Sequence, residues 1–210
     1  MLTLALDTTG PDCSACLLRD GDVLAHASER IGRGHAERLA PMVMEVMAAA
    51  GVAPAEVDRL AVCTGPGSFT GLRVALSYAK GFALPRRLPV LGFDALQVEA
   101  ERIRSAHDDH LVVVYRDVKR GEVFAAGYSF AEALDPPRSM TLAEAEALAE
   151  MLQAGLYEAQ GCDVRVLARM AASSDPNRHP AEPLYARAPD AKLPGGVTPP
   201  RARPTMPDRT

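Results

Sequence analysis

Tryptophan is absent from the 210-residue chain, aromatic residues make up only 5% of it, and cysteine occurs at Cys13, Cys16, Cys63 and Cys162. Each scarcity excludes something. With so few rings there is little on which to stack unpaired bases, so a single-strand nucleic-acid platform is not expected. These cysteines are too few to staple a chain of this length into a disulfide scaffold. Cys13 and Cys16 form a CxxC, but they lie in a stretch that alternates like a strand, where residues three apart point to opposite faces. The two sulfurs therefore cannot jointly clamp a metal, and the cysteines read as small buried apolar residues. An excess of positive charge is also missing. The net charge of −4 and pI of about 5.7 give no whole-molecule attraction to phosphate backbones, so contact with RNA would need a partner. No apolar run approaches the roughly 20 residues of a membrane span, and the opening MLTLALD lacks the basic start of a signal peptide. A cytoplasmic protein without membrane contact is expected.

What is present is apolar residue in quantity, 48%, enough for a substantial core. LTLAL at 2–6 reads as a buried strand, residues 13–18 as a second, and Val23 to Ser28 as a third reached through the hairpin dipeptide Asp20-Gly21. Leu39, Met42, Val43, Val46 and Met47 then recur at helical spacing from His35 to Ala50, with Gly51 as the stop and Pro41 near the first turn. LAVCT reads as a strand, Thr70 to Leu84 as a helix, PVLGF as a strand, and Asp94 as the cap of a helix running to about Ser105. The order then partly recurs: LVVVY and VFAAGY as strands joined by a DVKRGE turn, a helix opened by Thr141 and Glu144 as a capping box, and a weak strand at 163–168. Glu182 to Arg187 could be ordered. After about Pro189 proline, glycine and arginine dominate, and a mobile tail is expected in which Lys192, Arg201, Arg203 and Arg209 outnumber Asp190 and Asp208.

The most distinctive stretch is TGPGSFTGLR, Thr64 to Arg73. A phosphate-binding P-loop needs Lys and then Ser or Thr after its last glycine, whereas Gly71 is followed by Leu72 and Arg73. A dinucleotide fingerprint needs G-x-G-x-x-G, and this turn is one residue too long. The remaining reading is conformational: a tight glycine turn with Ser68 or Thr70 capping a helix whose Ala75, Ser77, Ala79 and Gly81 let a neighbour approach closely. Asp7-Thr8-Thr9-Gly10 is the other candidate. A strand ending in Asp and small hydroxyls can aim a carboxylate at a magnesium-bound water while backbone amides face phosphate, but DTTG is equally an ordinary turn. His107-Asp108-Asp109-His110 reads as a solvated loop, since no HExxH accompanies it, and no G-x-S-x-G elbow supports nucleophilic hydrolysis.

In order along the chain, LALDTT, CSACLL, HAERLAPMV, LAVCTGPGSFTGLRVALSYAKGFAL, PVLGFDAL, RDVKRGEVFAAGY and PLYARAPDA resemble the TsaB, or YeaZ-like, family of bacterial tRNA threonylcarbamoyladenosine biosynthesis proteins. The resemblance covers most of residues 2–191. It implies an α/β fold of the actin-like ATPase class, related to ribonuclease H, with two related lobes of mixed sheets flanked by helices and the second lobe abbreviated. The expected division is 1–106, 107–188 and a Pro/Arg-rich tail at 189–210.

The resemblance also implies a non-catalytic scaffold in the complex that transfers a threonylcarbamoyl group to the adenosine next to the anticodon of tRNAs reading ANN codons. The chain would dimerise with a TsaD-like catalytic subunit, join a TsaE-like ATPase, reach tRNA only through the complex, and form a homodimer when alone. TsaD follows the corresponding strand with V-N-H-x-x-x-H, whose histidines bind its metal; here Ala95 and Glu99 stand at those positions. No catalytic residue, metal ligand or tightly bound cofactor is thus implied, with ATP entering only at the level of the complex. Asp7, Thr8 and Thr9 would be a vestigial nucleotide cleft. The implied interface is made of Leu39, Met42, Val43 and Val46 on the first helix with Gly67, Phe69, Leu72, Val74, Ala75 and Tyr78 on the second. On that view Val46→Glu or Ala75→Glu should break partner binding without unfolding the chain. The alternatives are an autonomous ATP-dependent phosphotransferase using Asp7, and a metalloprotease, against which the missing histidine pair argues.

Overall fold

Strand β1 (Leu2–Asp7) buries all of its side chains because it runs through the middle of a sheet covered on both faces. The computed structural model describes residues 1–107, 110–118, 121–129 and 132–185. Asp108 and Asp109 of the histidine-flanked loop, Lys119 and Arg120 of the DVKRGE turn, and the tail after Pro189 lie outside the described residues. Strands β2 (Asp12–Arg19) and β3 (Asp22–Arg30) complete an antiparallel meander, and β4 (Arg59–Cys63) and β5 (Val90–Phe93) add to it in parallel, giving the order β3-β2-β1-β4-β5. The turn between β2 and β3 holds Asp20 at φ 52 and Gly21 at φ 98, the backbone that an Asp-Gly hairpin dipeptide supplies.

Helices α1 (His35–Ala50) and α2 (Phe69–Ala83) cover one face of this sheet; α3 (Ala95–His107) and α5 (Val164–Ser173) cover the other. Cys13 packs in the first of these cores and Cys16 in the second, so the strand does separate the CxxC sulfurs. The opposite side of α3, with Leu96, Ala100 and Ile103, meets a second sheet through Val112, Val114, Phe124, Ala126 and Tyr128. That sheet has the order β8-β7-β6-β9, built from β6 (Leu111–Asp117), β7 (Val123–Ser129), β8 (Glu132–Met140) and β9 (Gly155–Glu158), and α4 (Leu142–Leu152) closes its far face. Again a meander is followed by a strand parallel to the first, so the second sheet repeats the opening of the first with one strand fewer among the described residues.

Caps explain where the helices begin. The Ser68 hydroxyl accepts from the Gly71 N–H at 3.3 Å, Asp94 accepts from Gln97 N–H at 2.8 Å, and Thr141 and Glu144 form the reciprocal capping box. Two local readings need correction, and two strands escape the sequence pattern. Residues 163–168, which read as a strand, belong to α5: a Val-Arg-Val triplet mimics alternation, but Val164, Leu167, Ala168 and Ala171 are buried at helical spacing and Asp163 caps the turn. Strand β8 is hidden in the sequence by Pro136-Pro137, which its place at the sheet edge tolerates. The short β9 carries too little pattern to register. Pro41 sits inside α1 beyond its first turn, where it deprives the Glu37 carbonyl of an intrahelical partner. Helix α5 also lies beyond the boundary expected at 106/107, yet it packs on the first sheet. After it, residues 179–184 run back along β5, where Gly92 N–H donates to the His179 carbonyl (3.0 Å) and Leu184 N–H to the Thr64 carbonyl (2.7 Å).

Candidate functional site

The glycine-rich turn closes on the chain itself. Ser68 N–H donates to the Thr9 carbonyl (2.8 Å), the Thr8 hydroxyl donates to the Gly71 carbonyl (2.6 Å), and Ala95 N–H donates to the Gly65 carbonyl (2.6 Å). From the second sheet, Arg116 donates to the Pro66 carbonyl at 3.0 Å. A side chain on Gly71 would overlap the Thr8 carbonyl oxygen, and one on Gly67 would come within 2.7 Å of the Thr9 Cβ. These glycines are what let the turn lie directly on the DTTG turn after β1. Of the turn's backbone N–H groups, those of Ser68 and Gly71 are engaged with the Thr9 carbonyl and the Ser68 hydroxyl, and the carbonyls of Gly65, Pro66 and Gly71 each accept a bond from the surrounding protein.

Of the three residues expected in a nucleotide cleft, Thr8 and Thr9 turn their hydroxyls inward, Thr8 to Gly71 and Thr9 to the Cys63 sulfur at 3.6 Å. Asp7 alone lines a cavity, of about 300 Å³, shared with Ser14, His26, Glu99 and Cys162. Burial pushes the Asp7 carboxyl upward from its ordinary range, against opposing hydrogen bonds from the Thr9 N–H (2.9 Å) and the Thr9 hydroxyl, the charge of Arg116 and the Cys63 thiol. A carboxyl raised on folding contributes stability that is present below the ordinary carboxylate range and lost as pH rises through its elevated value. Asp7→Asn keeps an oxygen for the Thr9 N–H and removes the buried charge. It is expected to raise Tm near neutral pH by about 2–4 °C, equivalent to about 1 kcal/mol, with the gain disappearing in acid; calorimetry at the two pH values checks this. Asp94 is raised by burial in the same way, opposed by hydrogen bonds that include those from Gln97 N–H and the Tyr128 hydroxyl (3.0 Å).

The implied interface residues do not share one environment. Leu39, Met42, Val43, Val46 and Ala75 are at most 2% exposed, inside the core between the helices and the first sheet, and Leu72 is 1% exposed with its methyl groups against the Gly65 turn. They cannot meet a partner while the chain keeps this packing. Helical periodicity identifies the apolar stripe, and the stripe faces the chain's own sheet, as it does in most amphipathic helices. Gly67 and Phe69 are exposed, and Val74 and Tyr78 are half-buried. Phe69 lies between the Arg73 guanidinium, 3.7 Å from its ring centre, and Tyr185, with ring centres 5.2 Å apart. Sequence reasoning missed the residues that point outward from the same layer: Ala40, Pro41, Met44 and Ala48 of α1 are exposed, Met44 at 56%. Their spacing of three and four was legible as a second, weaker apolar row.

Ala95, at the first of the two positions where the resemblance sets a histidine pair, is fully buried, and Glu99, at the second, is 3% exposed. Both Glu99 oxygens are engaged by Arg102, with Nε donating at 2.9 Å and Nη2 at 2.8 Å.

Residues 26–173 match the model of the TsaD family, tRNA N6-adenosine threonylcarbamoyltransferase. The chain belongs to this family. Among its relatives, the Escherichia coli tRNA threonylcarbamoyladenosine biosynthesis protein TsaB is 37% identical over 61% of this chain and 55% of its own length. An uncharacterised Mycobacterium tuberculosis protein is 31% identical over 90% of this chain and 93% of that one. The chain spans about half the length of the curated TsaB relatives it matches, 51% for that of Haemophilus influenzae. The structure of YeaZ from Pseudomonas aeruginosa superposes with a TM-score of 0.69 at 27% identity, covering 88% of this chain and 99% of that one. Likeness to the TsaB and YeaZ proteins and an α/β fold of two mixed sheets flanked by helices therefore stand as expected from the sequence. Among the described residues no helix is long and apolar enough to cross a membrane.

Proposed function

We propose that the chain serves tRNA threonylcarbamoyladenosine biosynthesis as a non-catalytic subunit, docking a TsaD-like catalytic partner on the outward side of the α1/α2 layer. One observation carries the reading: where TsaD has two histidines, this chain has a buried methyl group and a carboxylate already paired with Arg102. A metal-assisted transfer centre that needs a histidine pair at those two positions does not have it. The TsaB relatives and the TsaD-family match supply the pathway. The exposed apolar row at Ala40, Pro41, Met44 and Ala48, beside half-buried Val74 and Tyr78, supplies a surface of the kind that forms an interface core. In the free chain the same surface would pair two copies. A TsaE-like ATPase and the tRNA join through the complex, any ATP is handled there, and the substrate tRNAs are those reading ANN codons.

The test is reconstitution. The purified chain alone should transfer no threonylcarbamoyl group to tRNA, and adding it to the catalytic homologue with the ATPase should restore transfer. Transfer by the chain alone, abolished in Asp7→Ala, would favour an autonomous enzyme instead.

A further inference from the structure

Cys63 ends β4, Asp7 ends the neighbouring parallel strand β1, and Cys162 stands in the loop just before α5. The pairing of Leu6 with Val62 places Asp7 and Cys63 side by side at the same end of the sheet. The two sulfurs and a carboxylate oxygen all lie within 4.8 Å of one another. Asp7 and Cys63 are buried and Cys162 is half-buried, and both Asp7 and Cys162 line the 300 Å³ cavity described above. Among the described residues Asp7 has no ion-pair partner, although it is only 3% exposed, so it is a buried carboxylate facing two thiols and a cavity. Neither Ala95 nor Glu99 contributes a ligand to this cluster.

We infer that Asp7, Cys63 and Cys162 form a binding site for a thiophilic divalent ion of the zinc type, with the fourth coordination position open to the cavity. Two sulfurs and one oxygen suit a tetrahedral zinc ion and exclude magnesium, which takes an octahedral shell of oxygens. Bonds of about 2.0–2.3 Å place tetrahedral ligand atoms about 3.3–3.8 Å apart, so atoms lying within 4.8 Å of one another have to close by at most about 1.5 Å. Cys162 can supply that movement, because residues 159–163 form no helix or strand and Gly161 precedes it. The Thr9 hydroxyl, donating to the Cys63 sulfur, orients that ligand from behind. Binding converts two thiols to thiolates and releases two protons. The ion would then join the ends of β1 and β4 to the start of α5, the helix that ties the later half of the chain to the first sheet. This holds whether or not the chain acts as a docking subunit.

Cobalt titrated into the reduced full-length chain tests the site. Expected are a near-ultraviolet thiolate-to-cobalt charge-transfer band and visible tetrahedral bands that saturate at one ion per chain and disappear on adding zinc. Cys162→Ser should weaken cobalt binding at least about tenfold. Since Cys63 is buried and its replacement could disturb folding, the second readout uses the intact protein: equimolar zinc should protect Cys162 from alkylation by iodoacetamide, magnesium should not, and zinc should lose this effect in Asp7→Asn. Absence of the charge-transfer band, a titration unchanged in Cys162→Ser, equal alkylation with and without zinc, or equal protection by magnesium would each overturn the inference.

Discussion

Replacing Gly71 by alanine is expected to cost about 3 kcal/mol or more and to lower Tm by about 10 °C. The added methyl group would occupy the space of the Thr8 carbonyl oxygen, a backbone atom that cannot rotate away. To make room, either the first turn of α2 must lift from the β1 turn or the DTTG turn must shift. The first breaks the Thr8 hydroxyl bond to the Gly71 carbonyl, and the second breaks the Thr9 carbonyl bond from Ser68. Gly81, in the same helix and with nothing within 4 Å of where an added methyl group would sit, is the control. Gly81→Ala is expected to stabilise by about 0.5–1 kcal/mol through helix propensity and reduced freedom of the unfolded chain. Thermal unfolding of the pair checks the account of the turn, and equal Tm values would contradict it.

Val46→Glu is expected to abolish folding. Val46 is 2% exposed in the core between α1 and the first sheet, and burying an unpaired carboxylate there costs several kcal/mol, comparable to the whole stability of a domain. Far-ultraviolet circular dichroism would show the loss directly. Ala75→Glu meets the same fate, since Ala75 is fully buried in the same core. These substitutions therefore cannot probe partner binding in the way expected from the helical pattern alone. Met44→Glu, two residues earlier and 56% exposed, should change stability by less than about 0.5 kcal/mol.

The contrast shows what the sequence makes legible. The meander, α1, the glycine turn, α2 and the Asp94 and Thr141 caps could be read because each rests on local rules: period, turn dipeptides and capping side chains. Helix α5 and strands β8 and β9 could not. A short Val-Arg-Val alternation imitates a strand, the two prolines of β8 are tolerated only because no strand lies beyond it among the described residues, and β9 has four residues. At the site, residue types at 95 and 99 were legible in the sequence, while the Arg102 pairing of Glu99 required the fold. The same holds for the meeting of Cys63 with Cys162, far apart in the chain and joined only through the return of α5 to the first sheet. Period also reveals that a helix has an apolar face, but not whether that face meets its own sheet or a partner; here the stronger row is spent on the core.

The most direct measurement is the affinity of the chain for its TsaD-like catalytic homologue by titration calorimetry, with Met44→Glu compared to the unmodified chain. Docking on the α1/α2 layer predicts one-to-one binding that weakens at least about tenfold in the variant while Tm is unchanged. Equal affinity of the two proteins, or no binding by either, would contradict it.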